Sequence, residues 1–130
     1  MVPMQILIFR FPLYFFVIGF CGMWRRREKK ITTPKKTFAI VVAAHNEEAV
    51  IGQLVKNLFQ LNYPKDMYDV YVVADNCKDK TAEVAAAEGA LVHERTDAKK
   101  KSKGYALDWM FDRLFQMEKQ YDGIVVFDAD

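Results

Sequence analysis

The sequence predicts an α/β fold with a mostly parallel sheet and flanking helices. Three observations carry that prediction. Short β-branched apolar runs alternate with longer stretches of helical period. Turn-forming residues separate them. Polar, mostly acidic residues follow three of the four apolar runs, as expected where a parallel sheet gathers a ligand at the carboxyl ends of its strands.

Taken in order, residues 38–43 (FAIVVA) read as a buried first strand. Asn46 can cap a helix whose apolar positions are Val50, Ile51, Leu54, Val55, Leu58 and Leu61. The run Asn62, Tyr63, Pro64, Lys65 ends it. Residues 70–74 (VYVVA) form the second strand, and residues 80–88 a second helix stopped by Gly89. Residues 90–93 are a weaker third strand. Residues 95–102 read as a polar, lysine-rich loop. A third helix over 103–119 sets Ala106, Trp109, Met110 and Leu114 on one face, with Trp109 expected in the core. Residues 123–127 (GIVVF) complete the set as a fourth strand. Such alternation implies right-handed parallel crossovers.

Charge is unevenly spread over the 130 residues. Seven basic residues fall between Arg25 and Lys36, and Arg10 stands alone. From Thr37 onward 11 basic residues face 16 acidic ones. The later part is therefore mildly acidic and lacks the basic face that nucleic acid requires. Cys21 and Cys77 have neither metal-ligand spacing nor an evident disulfide partner, which suits a reducing, cytosolic setting.

Residues 2–24 are almost continuously apolar, and no cleavage site precedes the three arginines that follow. As a helix residues 2–24 rise about 35 Å, enough for a hydrocarbon core of about 30 Å, whereas residues 11–24 alone rise only about 21 Å. A transmembrane helix is the expectation, with an interfacial segment or a buried helix as alternatives. Arg25, Arg26 and Arg27 place the C-terminal side in the cytoplasm. The expected layout is a membrane anchor at 1–24, a basic juxtamembrane linker at 25–36 and a nucleotide-binding half-domain at 37–130.

The chemistry narrows by elimination. Neither GxGxxG nor GxxxxGK[ST] occurs. Acidic residues and a lysine remain, and carboxylates suit Mg²⁺ or Mn²⁺ bridging to a diphosphate. Four segments then carry a family resemblance: AAHNEE, VVADNCKDKT, KSKGYAL and VFDAD, each at a strand end or helix start. Together they resemble the family 2 glycosyltransferases of GT-A fold, over about residues 37 to 130. The apolar segment and basic linker resemble membrane-bound members acting at the cytoplasmic face of the cell membrane.

That resemblance implies roles. The Ala43 backbone and the His45 ring would border the base, and Glu47 would lie near the nucleoside. Asp75 would accept from uracil N3, although Ala74 stands where many members have a second acid. Lys103 would reach the diphosphate or an acidic neighbour, with Gly104 allowing close approach. Asp128 would contact ribose or metal-bound water, and Asp130 would ligate the metal. Cys77, in place of the more usual Ser, would be a small buried or half-buried thiol. The implied reaction is inverting transfer from a UDP-sugar to a carbohydrate or lipid acceptor. The base and the acceptor-binding half are expected beyond Asp130, so these 130 residues alone are not expected to catalyse transfer. A haloacid-dehalogenase-type phosphatase, a nucleotidyltransferase and a non-catalytic membrane-tethered nucleotide-binding module are the competing readings.

Overall fold

The computed structural model describes residues 2–23 and 33–129. The chain divides into two units, Met1–Thr33 and Pro34–Asp130.

Among its described residues the first unit forms the helix α1 (Val2–Met23), with Pro12 inside it. From Phe11 to Phe20 its large apolar side chains are exposed on every side. The expected transmembrane helix is not shown: among the described residues no helix is long and apolar enough to cross a membrane. The charge-free stretch after Arg10 is too short, rising only about 20 Å. Most of the basic linker lies outside the described residues.

The second unit is the expected parallel α/β sheet. Its elements are β1 (Phe38–Ala44), α2 (Glu48–Leu58), a short 3₁₀ turn (Lys65–Met67), β2 (Tyr68–Asp75), α3 (Thr81–Ala87), β3 (Leu91–Arg95), α4 (Lys103–Gln116) and β4 (Gly123–Asp128). The strand order is β3-β2-β1-β4, with every pair parallel.

The two faces of the sheet are covered by different helices. Ile40, Val42 and Ala44 of β1 pack with Val70 and Val72 of β2 against Ile51, Val55 and Leu58 of α2 and Ala85 of α3. Ala39, Val41 and Ala43 pack with Tyr71 and Val73 against Ala106, Met110 and Leu114 of α4. Alternate residues of one strand thus serve opposite cores. That is why the strand reads as an unbroken apolar run and not as an alternating one. Met110 is fully buried, so truncating it to alanine costs about 2–5 kcal/mol.

Several boundaries shift. Helix α4 ends at Gln116 because Met117 adopts extended backbone (φ −71°, ψ 149°). Strand β3 reaches Arg95, so Arg95 belongs to the sheet and not to the lysine-rich loop. Leu61 lies beyond α2 and stays exposed. Gly89, at φ 96°, stops α3 in the left-handed region that favours glycine. Trp109 is half-buried beside the α4 core, with the Arg113 guanidinium 4.0 Å from its ring centre.

Candidate donor-binding site

The site is built where β1 and β2 end. Asn46 and Asn76, each just past one of these strands, both adopt left-handed backbone, φ 55° and 51°. Asparagine tolerates that region better than most residues. Each turns the chain sharply and ties the next loop down. Asn46 Oδ1 accepts from the Lys78 amide at 2.7 Å, and Asn76 Oδ1 accepts from the Asp97 amide at 2.9 Å. The Asn76 amide donates in turn to the Arg95 carbonyl at 2.7 Å.

The helix starts are capped across loops, which corrects the sequence reading of Asn46. Glu47 holds the N-cap position of α2 without a side-chain cap. The Glu48 amide donates instead to Asp79 Oδ2 at 3.1 Å, and the Glu47 amide to Thr81 Oγ1 at 2.8 Å. Glu48 Oε2 accepts from the Lys80 amide at 2.9 Å. Each loop therefore satisfies orphan amides at the start of the other's helix. The Thr81 hydroxyl, donating at 2.6 Å, leads the contacts that hold the Asp79 carboxyl below its usual range. Cys77 is half-buried, its Sγ accepting from the Asn46 amide at 3.4 Å, and burial pushes its thiol pKa up.

These loops frame a cavity of about 270 Å³ lined by Ala43, Ala44, His45, Asp75, Asn76, Lys101, Ser102 and Lys103. Four residues singled out from the sequence, Ala43, His45, Asp75 and Lys103, meet here. His45 Nδ1 lies 2.7 Å from the Asp75 carbonyl oxygen. A carbonyl only accepts, so Nδ1 carries the proton. The ring is thereby fixed at the cavity mouth. Glu47 and Asp128 join through Lys103. Its ammonium lies 3.8 Å from Glu47 Oε1 and is ion-paired with Asp128 Oδ1. Asp128 is placed by register, since β4 pairs it with Ala43. Asp130 lies outside the described residues.

Sequence reading missed three contributors. Arg95 Nη1 donates to Asp75 Oδ1 at 2.5 Å, with both side chains less than a tenth exposed. The same nitrogen reaches the Lys100 carbonyl at 3.0 Å. Asn76 is a second, signalled only by its place after a strand. Ser102 is the third: its hydroxyl accepts from the Tyr105 amide and caps α4, setting Lys103 in the first turn. An added Cβ at Gly104 would meet Ser102 Oγ at 3.7 Å.

Two carboxylates already face one positive charge. Among the described residues no group of three metal-ligating side chains assembles. Mg²⁺ in nucleotide sites commonly takes one or two carboxylates and completes its shell with phosphate oxygens and water.

Comparison with known proteins fits this geometry. Residues 34–130 match the model of glycosyltransferase-like family 2. The chain belongs to that family. It is 38% identical over 108 residues to a beta-monoglucosyldiacylglycerol synthase of Nostoc sp., covering 82% of this chain and 23% of that protein. A probable glycosyltransferase of Bacillus subtilis is 34% identical over 113 residues, covering 82% of this chain and 25% of that one. Among solved structures, glucosyl-3-phosphoglycerate synthase from Mycobacterium tuberculosis, in complex with Mn²⁺, UDP-glucose and phosphoglyceric acid, aligns with TM-score 0.58 at 26% identity over 73% of this chain and 34% of that one. A mannosyltransferase from Pyrobaculum calidifontis in complex with GDP-Man and Mn²⁺ aligns with TM-score 0.65 over 94% of this chain and 36% of that one; at 19% identity it shows the fold alone. The chain thus spans about a quarter of the length of these curated family 2 relatives.

Proposed function

We propose that this family 2 chain forms the sugar-donor pocket of a metal-dependent glycosyltransferase using a UDP-sugar. One observation carries the reading. Asp75, His45 and Lys103 line a single cavity at the carboxyl edge of a parallel sheet, with Asp128 held at its rim by Lys103. A nucleotide diphosphate needs such a set: a carboxylate to read the base, a ring beside it and a cation for the phosphates. Arg95 keeps the buried Asp75 carboxylate paired and in place.

Asp128, with Asp130 two residues on, would hold Mg²⁺ or Mn²⁺. The ion would neutralise charge developing on the departing diphosphate. Lys103 adds a second positive charge on the same side. A carbohydrate or lipid is the proposed acceptor, supported by relatives such as the beta-monoglucosyldiacylglycerol synthase. Inversion is proposed from the family, and the base that deprotonates the acceptor is assigned to none of the described residues.

Membrane association belongs to the same proposal. The exposed apolar side chains of α1 suit a lipid environment. The arginines at 25–27 favour the cytoplasmic side of the cell membrane.

The test is UDP release from a panel of UDP-sugars, with membranes supplied as acceptor and Mg²⁺ or Mn²⁺ added or chelated, using the full-length protein. Metal-dependent release lost in Asp128→Ala supports the reading. Full activity in excess chelator would end it. A non-catalytic module would bind UDP yet release none.

A further inference from the structure

We propose that Lys99, Lys100 and Lys101 form a docking crest that seats the mouth of the donor cavity on an anionic bilayer surface. The crest goes beyond the sugar-donor reading, and only the reason for its place rests on that reading. From Thr37 onward 11 basic residues face 16 acidic ones. Against that balance, three exposed lysines stand in a row in the loop between β3 and α4. Among the described residues none of their ammoniums is ion-paired. The nearest acid in sequence is already committed. The Asp97 carboxylate accepts from the Lys99 and Lys100 amides at 2.8 and 3.1 Å, and from the Arg95 guanidinium at 3.3 Å. Arg95 also donates to the Lys100 carbonyl at 3.0 Å, and the Asp97 amide donates to Asn76 at 2.9 Å. These bonds fasten the backbone and leave the ammoniums unmatched. The charges are therefore presented by a fixed ridge and not by a loose tail.

The ridge separates two cavities. Lys101 lines the donor cavity with His45 and Asp75. Lys100 lines a second one, of about 230 Å³, with Tyr105. One small anion cannot span both sides, whereas a layer of lipid headgroups can. Tyr105 adds an interfacial group: it is exposed, and the Lys100 ammonium lies 5.6 Å from its ring centre. A tyrosine with an apolar body and a polar tip suits the headgroup region. Asp108 and Asp112 share the second cavity with Lys100 but make no ion pair with it. They lie about 9 and 15 Å along α4 from Ser102, so the crest meets a surface before they do. Each lysine brought to an anionic leaflet strengthens attraction by about fivefold. A donor cavity held this way opens toward the layer that would hold a lipid acceptor.

The experiment is lysine acetylation read by mass spectrometry on the full-length protein, with vesicles of phosphatidylcholine alone or of equal parts phosphatidylcholine and phosphatidylglycerol. With the mixed vesicles Lys99, Lys100 and Lys101 should lose reactivity by about tenfold, and with phosphatidylcholine alone they should not. Lys65, which precedes β2 at the opposite edge of the sheet, should stay reactive in both. Lys99→Gln with Lys100→Gln should weaken binding to the mixed vesicles by roughly tenfold or more. Lys56→Gln with Lys65→Gln, an equal change of charge, should not. α1 and the arginines at 25–27 are the same in every arm. Circular dichroism checks folding, and if the first double variant is unfolded the wild-type footprint decides alone. Crest lysines that stay reactive on mixed vesicles, or equal losses from the two double variants, would overturn the proposal. Protection by inorganic phosphate as strong as that by vesicles would make this a small-anion site and overturn it too. UDP titration with Mn²⁺ and no vesicles reads the donor pocket separately, so no UDP binding beside an intact footprint would fail the donor reading and leave the crest standing.

Discussion

Arg95 and Asp75 are direct partners in the register between β3 and β2, and Arg95 Nη1 donates to Asp75 Oδ1 at 2.5 Å where both side chains are almost fully buried. A buried charge left without its partner is costly. Asp75→Ala and Arg95→Ala should each lose about 3 kcal/mol of stability. Asp75→Leu combined with Arg95→Met should recover most of that loss, because neither charge then remains. Urea denaturation of the four proteins checks this. Losses that simply add in the double variant would contradict it.

That pair also marks how much the sequence disclosed. The strands were legible because both faces of β1 and β2 are covered, which leaves unbroken runs such as FAIVVA and VYVVA. The residues of the cavity were legible because they follow those runs directly. Arg95 was not. Lysines at 99, 100, 101 and 103 follow it, and only pairing with Asp75 from another strand turns it inward. The Asn46 cap misread has a similar cause. Asparagine serves both as helix cap and as left-handed turn, and the Asp79 carboxylate that settles the choice lies more than thirty residues away.

A second expectation concerns acid. Asp79 titrates below its ordinary value of 3.8, first because the Thr81 hydroxyl donates to it and then, against some desolvation, because the Thr81 and Glu48 amides do. A carboxyl depressed in the folded state contributes stability that is fully present above its unfolded pKa. The contribution is lost as pH falls through the lower, folded value. Melting temperatures followed from about pH 6 to pH 2 should fall on the acid side, and Asp79→Asn should flatten that limb while lowering stability near neutrality. An Asp79→Asn profile parallel to the wild type would remove Asp79 from the account.

A third concerns the metal. With Asp128 neutralised, the diphosphate loses the carboxylate proposed to share its cation. Asp128→Asn should weaken UDP binding in Mn²⁺ by about tenfold or more, worth roughly 1.4 kcal/mol or above. Without metal the same substitution should change UDP affinity much less. Calorimetry in the presence and absence of Mn²⁺ separates the two cases. Equal losses in both would assign Asp128 to the nucleotide and not to the cation.

A fourth concerns location. The exposed apolar surface of α1 should carry the protein to lipid vesicles in a flotation assay, and deletion of residues 2–23 should leave it at the bottom of the gradient. In intact cells or spheroplasts, protease added outside should spare the α/β unit. Cleavage of that unit from outside would reverse the proposed orientation.

The most direct test of the sugar-donor pocket is the nucleotide ranking. Uracil offers an N3–H to the Asp75 carboxylate, whereas cytosine has no such hydrogen, and a lost buried partner costs about 1–3 kcal/mol. Calorimetric titration of UDP, CDP and GDP with Mn²⁺ should place UDP about tenfold or more ahead in the wild type. Asp75→Ala should erase the ranking, with Arg95→Ala as the control for a loosened but present carboxylate. Equal affinities for the three nucleotides in the wild-type protein, or a UDP preference that survives Asp75→Ala, would contradict the assignment.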